Sequence, residues 1–246
     1  MSVLSVSIIV PVRDEAAIIA PALRRLCKDF PGCELIVVDG ASTDGTPDLA
    51  APLATVIRSA PGRARQMNIG AAHATGEVLW FVHADTRLDP AALGQLQAAL
   101  ADPDVVGGGC ALRFDRDTPA LRFLAWSSTQ RARRLHQIFG DQAMFVRRSV
   151  FDALGGFPNL PLMEDLEMSR RLHRTGRLVV LPAACTASAR RFDAHGTVRM
   201  IAFMQYLKLL YFAGVDPARI AARYAAGPGL LRRAGKETGR HRVPDP

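Results

Sequence analysis

The chain has 246 residues, 49% hydrophobic and 22% charged, which is enough apolar material for one sizeable α/β domain and too much for a disordered chain. Lys and Arg number 31 against 23 Asp and Glu, a net charge of +8 that favours anionic partners. The arginines are scattered and aromatic residues make up only 7%, a pattern that argues against a nucleic-acid binder.

The opening segment, MSVLSVSIIVPV, has no basic region before its apolar run and leads straight into Arg13-Asp14-Glu15. It reads as a buried strand over 6–12, not as a signal peptide. A helical pattern follows over 16–27, then a strand over 34–39 (ELIVVD) and a weak helix from 46. A strand over 54–58, a helix over 62–74, a strand over 77–83 and a helix over 90–100 complete the first hundred residues. Strands with little polar alternation, each followed by a helix, predict a mainly parallel, Rossmann-like sheet with helices on both faces. The next part, 101–195, is irregular. It holds a long strand over 105–114, an Arg-rich helix over 121–136, a short strand over 142–147, a helix over 163–174, and late strands over 178–181 and 186–190. Helical periodicity returns across 196–226, and 227–246 is a basic, polar tail. The expected organisation is a single α/β domain over 1–226, its nucleotide-binding half in 1–100 and its acceptor half in 101–195, with C-terminal helices over 196–226.

Cys27, Cys33, Cys110 and Cys185 form no CxxC pair and have no His at zinc-ligand spacing. Reduced thiols and a cytoplasmic location are the expectation. No apolar run reaches the roughly 18 residues that a membrane span needs.

Parallel sheets bind ligands at the carboxyl ends of their strands. Four polar clusters fall at such ends: Pro11-Val12-Arg13-Asp14-Glu15, Asp39 through Thr46, Gly62 through Asn68, and His83-Ala84-Asp85-Thr86. Each alone could be a turn or a cap. Ser42 and Thr43 read equally as helix N-caps or as ligand contacts, and Glu15 could simply complement a helix dipole. Asp85 is distinctive because it follows a strand containing Trp80 and Phe81, where an acid is costly unless it is paired or holds a cation. A carboxylate with diphosphate oxygens suits Mg²⁺ or Mn²⁺.

In order and spacing, SIIVPVRDE, IVVDGASTDGT and GRARQMNIGAAHATGEVLWFVHADT resemble the donor half of glycosyltransferase family 2 enzymes, which have a GT-A fold. GDQAMFVRRSVFDALGGFPNLPLMEDLEMSRRL resembles their acceptor half, so the resemblance runs from about residue 5 to about residue 192. The length and the ARRF segment resemble the small bacterial subgroup of selenodomain-associated transferases. The resemblance implies an inverting glycosyltransferase that uses a nucleotide-sugar donor, UDP-linked, and a divalent metal. By the same resemblance Pro11, Arg13 and Glu15 line the base and ribose pocket, Asp39 bonds the base, and Arg63 lies near ribose or phosphate. Asp85 is the metal-binding acid of the DxD motif, Asp141 and Gln142 contact the sugar, and Asp165 of the Glu164-Asp165 pair is the general base.

The sequence departs from the family pattern twice: Gly40 stands where a second acid is common, and His83 replaces the first acid of DxD. Arg190 and Arg191 follow a predicted strand and read as a diphosphate clamp or as an exposed charged turn. Glu164 and Asp165 could also be dipole partners at a helix start. Two other function classes stay open: a nucleotidyltransferase-like enzyme, although its Gly-rich Lys signature is missing, and a catalytically weak nucleotide-sugar-binding relative. The acceptor is not legible, a lipid-linked one being one option. The apolar stretch within 196–226 reads either as core or as a face lying in a membrane interface, which with the basic tail would make the protein peripheral.

Overall fold

The computed structural model describes residues 3–232. The chain divides between Ala189 and Arg190 into two compact units. In the first unit, strands and helices alternate as β1 (Val6–Val12), α1 (Ile19–Asp29), β2 (Glu34–Asp39), α2 (Thr46–Ala50), β3 (Thr55–Arg58), α3 (Arg63–His73) and β4 (Val78–Phe81). A two-residue strand β5 (Arg87–Leu88) and α4 (Ala92–Leu100) follow, then β6 (Val105–Phe114), α5 (Pro119–Leu135), β7 (Phe145–Arg147), α6 (Arg148–Ala153), α7 (Glu164–His173) and β8 (Arg177–Ala187). The eight strands form one sheet in the order β3-β2-β1-β4-β7-β6-β8-β5. β1 to β4 are mutually parallel, β7 runs antiparallel to both β4 and β6, and β8 is parallel to β6. The α/β architecture expected from the sequence is the one observed.

Strand periodicity explains the two-sided core. Ile8, Val10 and Trp80 face one apolar layer with Leu23 and Phe145, while Ile9 and Phe81 face the other with Met67, Phe151 and Phe157. Successive residues therefore serve opposite faces, which is why these strands carry so few polar positions. Trp80 is fully buried, and its indole N–H donates to the Ala143 carbonyl at 3.1 Å, so no polar atom is stranded by burying the ring. Two arginines tie helix ends to the sheet. The guanidinium of Arg147 donates to the carbonyls of Leu100, Asp102 and Val105, and that of Arg148 to those of Ala71, Ala74 and Gly76. They satisfy carbonyls that the ends of α3 and α4 leave without helical partners, with charge of the favourable sign.

The late segment differs from expectation. The strands predicted over 178–181 and 186–190 are one strand, β8, whose register breaks where Cys110 pairs with Leu181 but Ala111 pairs with Ala184. Pro182 and Ala183 fall in that break. Proline cannot donate to a ladder and is tolerated there, and the Ala183 N–H donates instead to Gln95 Oε1 at 2.8 Å. From Arg190 the chain is helical rather than extended.

The second unit contains α8 (Arg190–His195), α9 (Thr197–Phe212) and α10 (Pro217–Ala226), then a 3-10 turn over Gly227–Arg232. Asp216 caps α10 by accepting from the Ala218 N–H at 2.9 Å, with Pro217 in the first turn. α9 is apolar around much of its circumference. Met200, Phe203 and Leu207 are buried, whereas Val198, Leu209 and Phe212 are exposed. The basic segment expected over 227–246 lies outside the described residues from 233 onward.

Candidate active site

Because β1, β2 and β4 are parallel neighbours, with Val12 opposite Asp39 and Ile9 opposite Phe81, their carboxyl ends share one edge of the sheet. The loops leaving β1 and β2 are knitted together there. Ser42 Oγ accepts from the Asp14 N–H at 2.8 Å, and Asp14 Oδ1 accepts from the Thr43 N–H at 2.8 Å. Thr46 Oγ1 accepts from the Glu15 N–H at 2.9 Å, and Asp44 Oδ2 accepts from the Ala16 N–H at 2.9 Å. Asp14 and Ala41 adopt left-handed backbone angles, φ 53° and 62°, so the turn of these loops is held by this network against local preference. Asp39 is fully buried. Its Oδ2 accepts from the Ser42 N–H at 3.1 Å, while Oδ1 has no hydrogen-bond partner among the described residues. A buried carboxylate oxygen left open at a ligand-binding edge suits a base N–H.

Gln66, which sequence reasoning passed over, braces this floor. Its amide Nε2 donates to the carbonyls of Val12 and Val38, both at 2.8 Å, joining the ends of β1 and β2. It also accounts for Gly40: a Cβ there would lie 2.9 Å from the Gln66 amide. The position that often carries a second acid in the resembling family is filled here by the glutamine of α3.

The densest charge cluster joins elements 100 residues apart. Arg63, the first residue of α3, donates through Nε to Glu164 Oε1, and its Nη2 stands 3.6 Å from Asp165 Oδ2. Glu164 and Asp165 open α7, after Met163 in a left-handed conformation. Both are buried, so they are more than solvent-facing dipole partners. Burial works against the charge of Arg63, but Glu164 and Asp165 outweigh it and hold the guanidinium more firmly protonated than usual. Burial pushes the Glu164 carboxyl up, and Arg63 opposes that shift only in part. Asp165 is fixed further by two backbone donors, Gly140 N–H to Oδ2 at 2.7 Å and Leu166 N–H to Oδ1 at 2.8 Å.

His83 and Gly140 complete this cluster. A Cβ on Gly140 would lie 2.9 Å from His83 Nε2 and 3.4 Å from Asp165 Oδ2, so both polar atoms converge on the space a side chain would take. Arg63, His83, Gly140 and Asp165 line one recess, walled on its apolar side by Met67, Phe81, Met144 and Phe157. Gln142, expected to touch sugar, is instead fully buried. Its Oε1 accepts from Arg131 Nη2 at 3.2 Å and its Nε2 donates to the Cys110 carbonyl at 3.3 Å, so it braces the turn that carries Gly140 and Asp141.

The other expected residues are more dispersed. Pro11 lies within β1, and Arg13 is exposed beside Asp14. Asp85 is half-buried in the turn after β4, which the Thr86 N–H closes onto the His83 carbonyl at 3.0 Å. Among the described residues no group of three or more His, Cys, Asp or Glu is placed to hold a metal ion. A single carboxylate ligand such as Asp85 nevertheless fits Mg²⁺ or Mn²⁺, which take most of their ligands from diphosphate and water. Arg190 and Arg191 belong to the second unit, where the Arg191 guanidinium lies 5.1 Å from the Tyr224 ring centroid. Among the described residues no helix is long and apolar enough to cross a membrane.

Known proteins agree with this architecture. Residues 7–155 match the family described as glycosyl transferase family 2. The β-monoglucosyldiacylglycerol synthase of Synechocystis sp. is 26% identical over 195 residues, covering 68% of this chain and 40% of its own. The probable glycosyltransferase YdaM of Bacillus subtilis is 24% identical over 209 residues, covering 74% and 50%. The chain thus spans half or less of the length of these curated relatives. Among solved structures, a mannosyltransferase from Pyrobaculum calidifontis, in complex with GDP-mannose and Mn²⁺, superposes with a TM-score of 0.70 at 24% identity, over 88% of this chain and 66% of its own. Glucosyl-3-phosphoglycerate synthase from Mycobacterium tuberculosis, in complex with Mn²⁺, UDP and glucosyl-3-phosphoglycerate, superposes with a TM-score of 0.62 at 19% identity, over 87% and 81%. With the family match extending over more than half of its residues, the chain belongs to glycosyl transferase family 2 and carries that family's glycosyltransferase domain.

Proposed function

We propose that the protein transfers a sugar from a UDP-linked donor to an acceptor hydroxyl, with inversion, and that Asp165 is the general base. The observation that carries this reading is the Arg63–Glu164–Asp165 cluster, both of its acids buried, at the recess shared with His83 and Gly140. The acceptor oxygen forms its bond to the anomeric carbon as its proton passes to the Asp165 carboxylate, and the carbon–oxygen bond to the diphosphate breaks with its electron pair leaving on the nucleotide. A hydroxyl is too weak a nucleophile to do this unassisted, and a fixed carboxylate within hydrogen-bond reach removes that obstacle. The Gly140 and Leu166 N–H groups hold Asp165 in one orientation, and the Arg63 guanidinium stands 3.6 Å from its Oδ2. The open oxygen of Asp39 receives an N–H of the base, beside Pro11 of β1 and within the loops that carry Arg13, Glu15 and Ser42.

A divalent cation, Mg²⁺ or Mn²⁺, held by Asp85 would offset the charge on the departing diphosphate. Relatives support the donor class: the solved neighbours were described with GDP-mannose, or with UDP and a glucosylated product, each together with Mn²⁺. The narrower kinship with selenodomain-associated transferases and a cytoplasmic setting belong to the same proposal. The test is release of nucleoside diphosphate from a panel of UDP- and GDP-sugars with Mn²⁺, beside thermal stabilisation by each donor, since a ligand of the native state raises its melting temperature. Absence of both release and stabilisation across the panel would refute it.

A further inference from the structure

α5 has two faces that do different things. Leu121, Ala125, Ser128, Thr129 and Ala132 are buried, and Thr129 Oγ1 accepts from the Leu112 N–H of β6 at 3.1 Å, fixing the helix to the sheet. The opposite face carries Phe123 and Trp126, 66% and 58% exposed, their rings tilted together at 5.8 Å. Arg122 beside them, which donates to the exposed Asp117 at 3.2 Å, and the exposed Arg133 and Arg134 two turns further on share that face. The helix PALRFLAWSSTQRARRL contains no acid.

We propose that this face of α5 is a docking surface for anionic lipid headgroups. An exposed Phe–Trp pair flanked by arginines matches what an interface-lying helix needs. Its rings enter the headgroup boundary, where an amphipathic indole is favoured, while its guanidinium groups meet lipid phosphates. The charge pattern selects this occupant over a second copy of the chain. A self-complementary contact would set Arg133 and Arg134 among arginines of the other copy, and Asp117, the acid beside this face, is already paired with Arg122. A convex helix also lacks the groove that tracks a single nucleic-acid strand. The proposal uses neither α9 nor the basic segment after residue 226, and it does not depend on the sugar-transfer reading. Its consequence for the site is direct, because α5 also supplies Arg131. That guanidinium bonds Gln142 and lies 4.2 Å from the Phe139 ring centroid, so the docking helix is coupled to the turn that bears Gly140.

The two tryptophans give a local readout. Trp80 is fully buried, so quenching by acrylamide reports on Trp126. With the full-length chain, vesicles of phosphatidylglycerol and phosphatidylcholine should shift the emission to the blue and protect Trp126 from acrylamide. Vesicles of phosphatidylcholine alone should do so much less, and added salt should reverse the effect. The variant F123S/W126S should keep its melting temperature, because both side chains are exposed, and should co-sediment with the anionic vesicles about tenfold more weakly, the equivalent of about 1.4 kcal/mol. Sedimentation with Trp126 still fully quenched, or unchanged sedimentation of the double variant, would overturn the proposal and leave other basic segments as the contact. Protection produced by raising the protein concentration without lipid, or equally well by oligouridylate, would overturn it in favour of a second copy or of RNA.

Discussion

Asp165→Asn is the sharpest perturbation of the proposed chemistry, and the structure shows that it cannot be silent for stability. Both carboxylate oxygens are in use, Oδ2 by the Gly140 N–H at 2.7 Å and Oδ1 by the Leu166 N–H at 2.8 Å. An asparagine offers one acceptor, so its NH₂ must face one of those two donors. One buried backbone N–H then loses its partner, at a cost of about 1–3 kcal/mol. The Arg63 contact adds little. At 3.6 Å it is longer than a hydrogen bond, and Arg63 is 38% exposed, so its loss is worth about 0.5 kcal/mol. Removing a charge beside the buried Glu164 works in the opposite direction, which places the net cost at the lower end of that range. At about 2–4 °C per kcal/mol for a chain of this length, the melting temperature should fall by a few degrees and the protein should stay folded at 25 °C.

Loss of a general base should slow turnover by about 100- to 10,000-fold, or about 3–5 kcal/mol in the transition state. That exceeds the folding cost, so the two effects separate. The assay is steady-state release of nucleoside diphosphate alongside a thermal melt. A fall in kcat with little change in donor KM is the expected signature, since an interaction made in the transition state has been removed. A variant within threefold of wild-type kcat would refute the base assignment. An unchanged melting temperature would refute the hydrogen-bond reasoning even if activity were lost.

Asp85→Ala should abolish the Mn²⁺-dependent part of donor binding, read by calorimetry; equal Mn²⁺-dependent binding would remove Asp85 as the metal ligand. Gly140→Ala should cost about 1–3 kcal/mol by thermal melt, or displace His83 and lower kcat, because its methyl would lie 2.9 Å from His83 Nε2; wild-type values of both would show that the recess yields. Glu164→Gln tests a pH dependence. Burial raises the folded-state pKa of Glu164 above its usual 4.5, so the folded state keeps a proton that the unfolded chain has lost. Wild-type stability therefore falls as pH rises above 4.5 until the folded pKa is passed, and the variant should gain on wild type over that window; a constant difference would refute the direction. Arg148→Met strands the carbonyls of Ala71, Ala74 and Gly76 and should cost about 2–4 kcal/mol by denaturant titration; a loss under 1 kcal/mol would mean that water replaces the guanidinium.

The sequence made the donor half legible because its signals are local. ELIVVD is apolar on both faces and ends in one acid, and that pattern places Asp39 at the sheet edge without any knowledge of its neighbours. The late strands were not legible, for a reason seen at Pro182. A proline between two apolar runs reads as a break, and only the partner strand β6 shows that the ladder resumes at Ala184. β5 and α6, of two and six residues, are too short to carry a period.

The site was legible in its acids and illegible in its supports, and the division has a physical origin. Asp39 and Asp85 stand out because a carboxylate beside an apolar run is costly to bury and needs a reason, while Glu164 and Asp165 stand out only through the order of family motifs that the chain resembles. Gln66 and Gly140 act through distance alone, whereas His83 already stands out in the sequence as the replacement of the first DxD acid. Gln66 matters because two carbonyls 26 residues apart in sequence, those of Val12 and Val38, end 2.8 Å from one amide. Gly140 matters because His83 and Asp165, brought by two other elements, converge where its Cβ would be. Neither fact has a signature within any short window. Ser42 shows the converse, a residue whose local pattern offered helix capping or ligand contact. Its hydroxyl accepts instead from Asp14, 28 residues away, and so shapes the pocket wall by joining two loops. Glycines and amides beside an apparent acid cluster therefore deserve the same mutational scrutiny as the acids, because they set the geometry in which a carboxylate can act as a base.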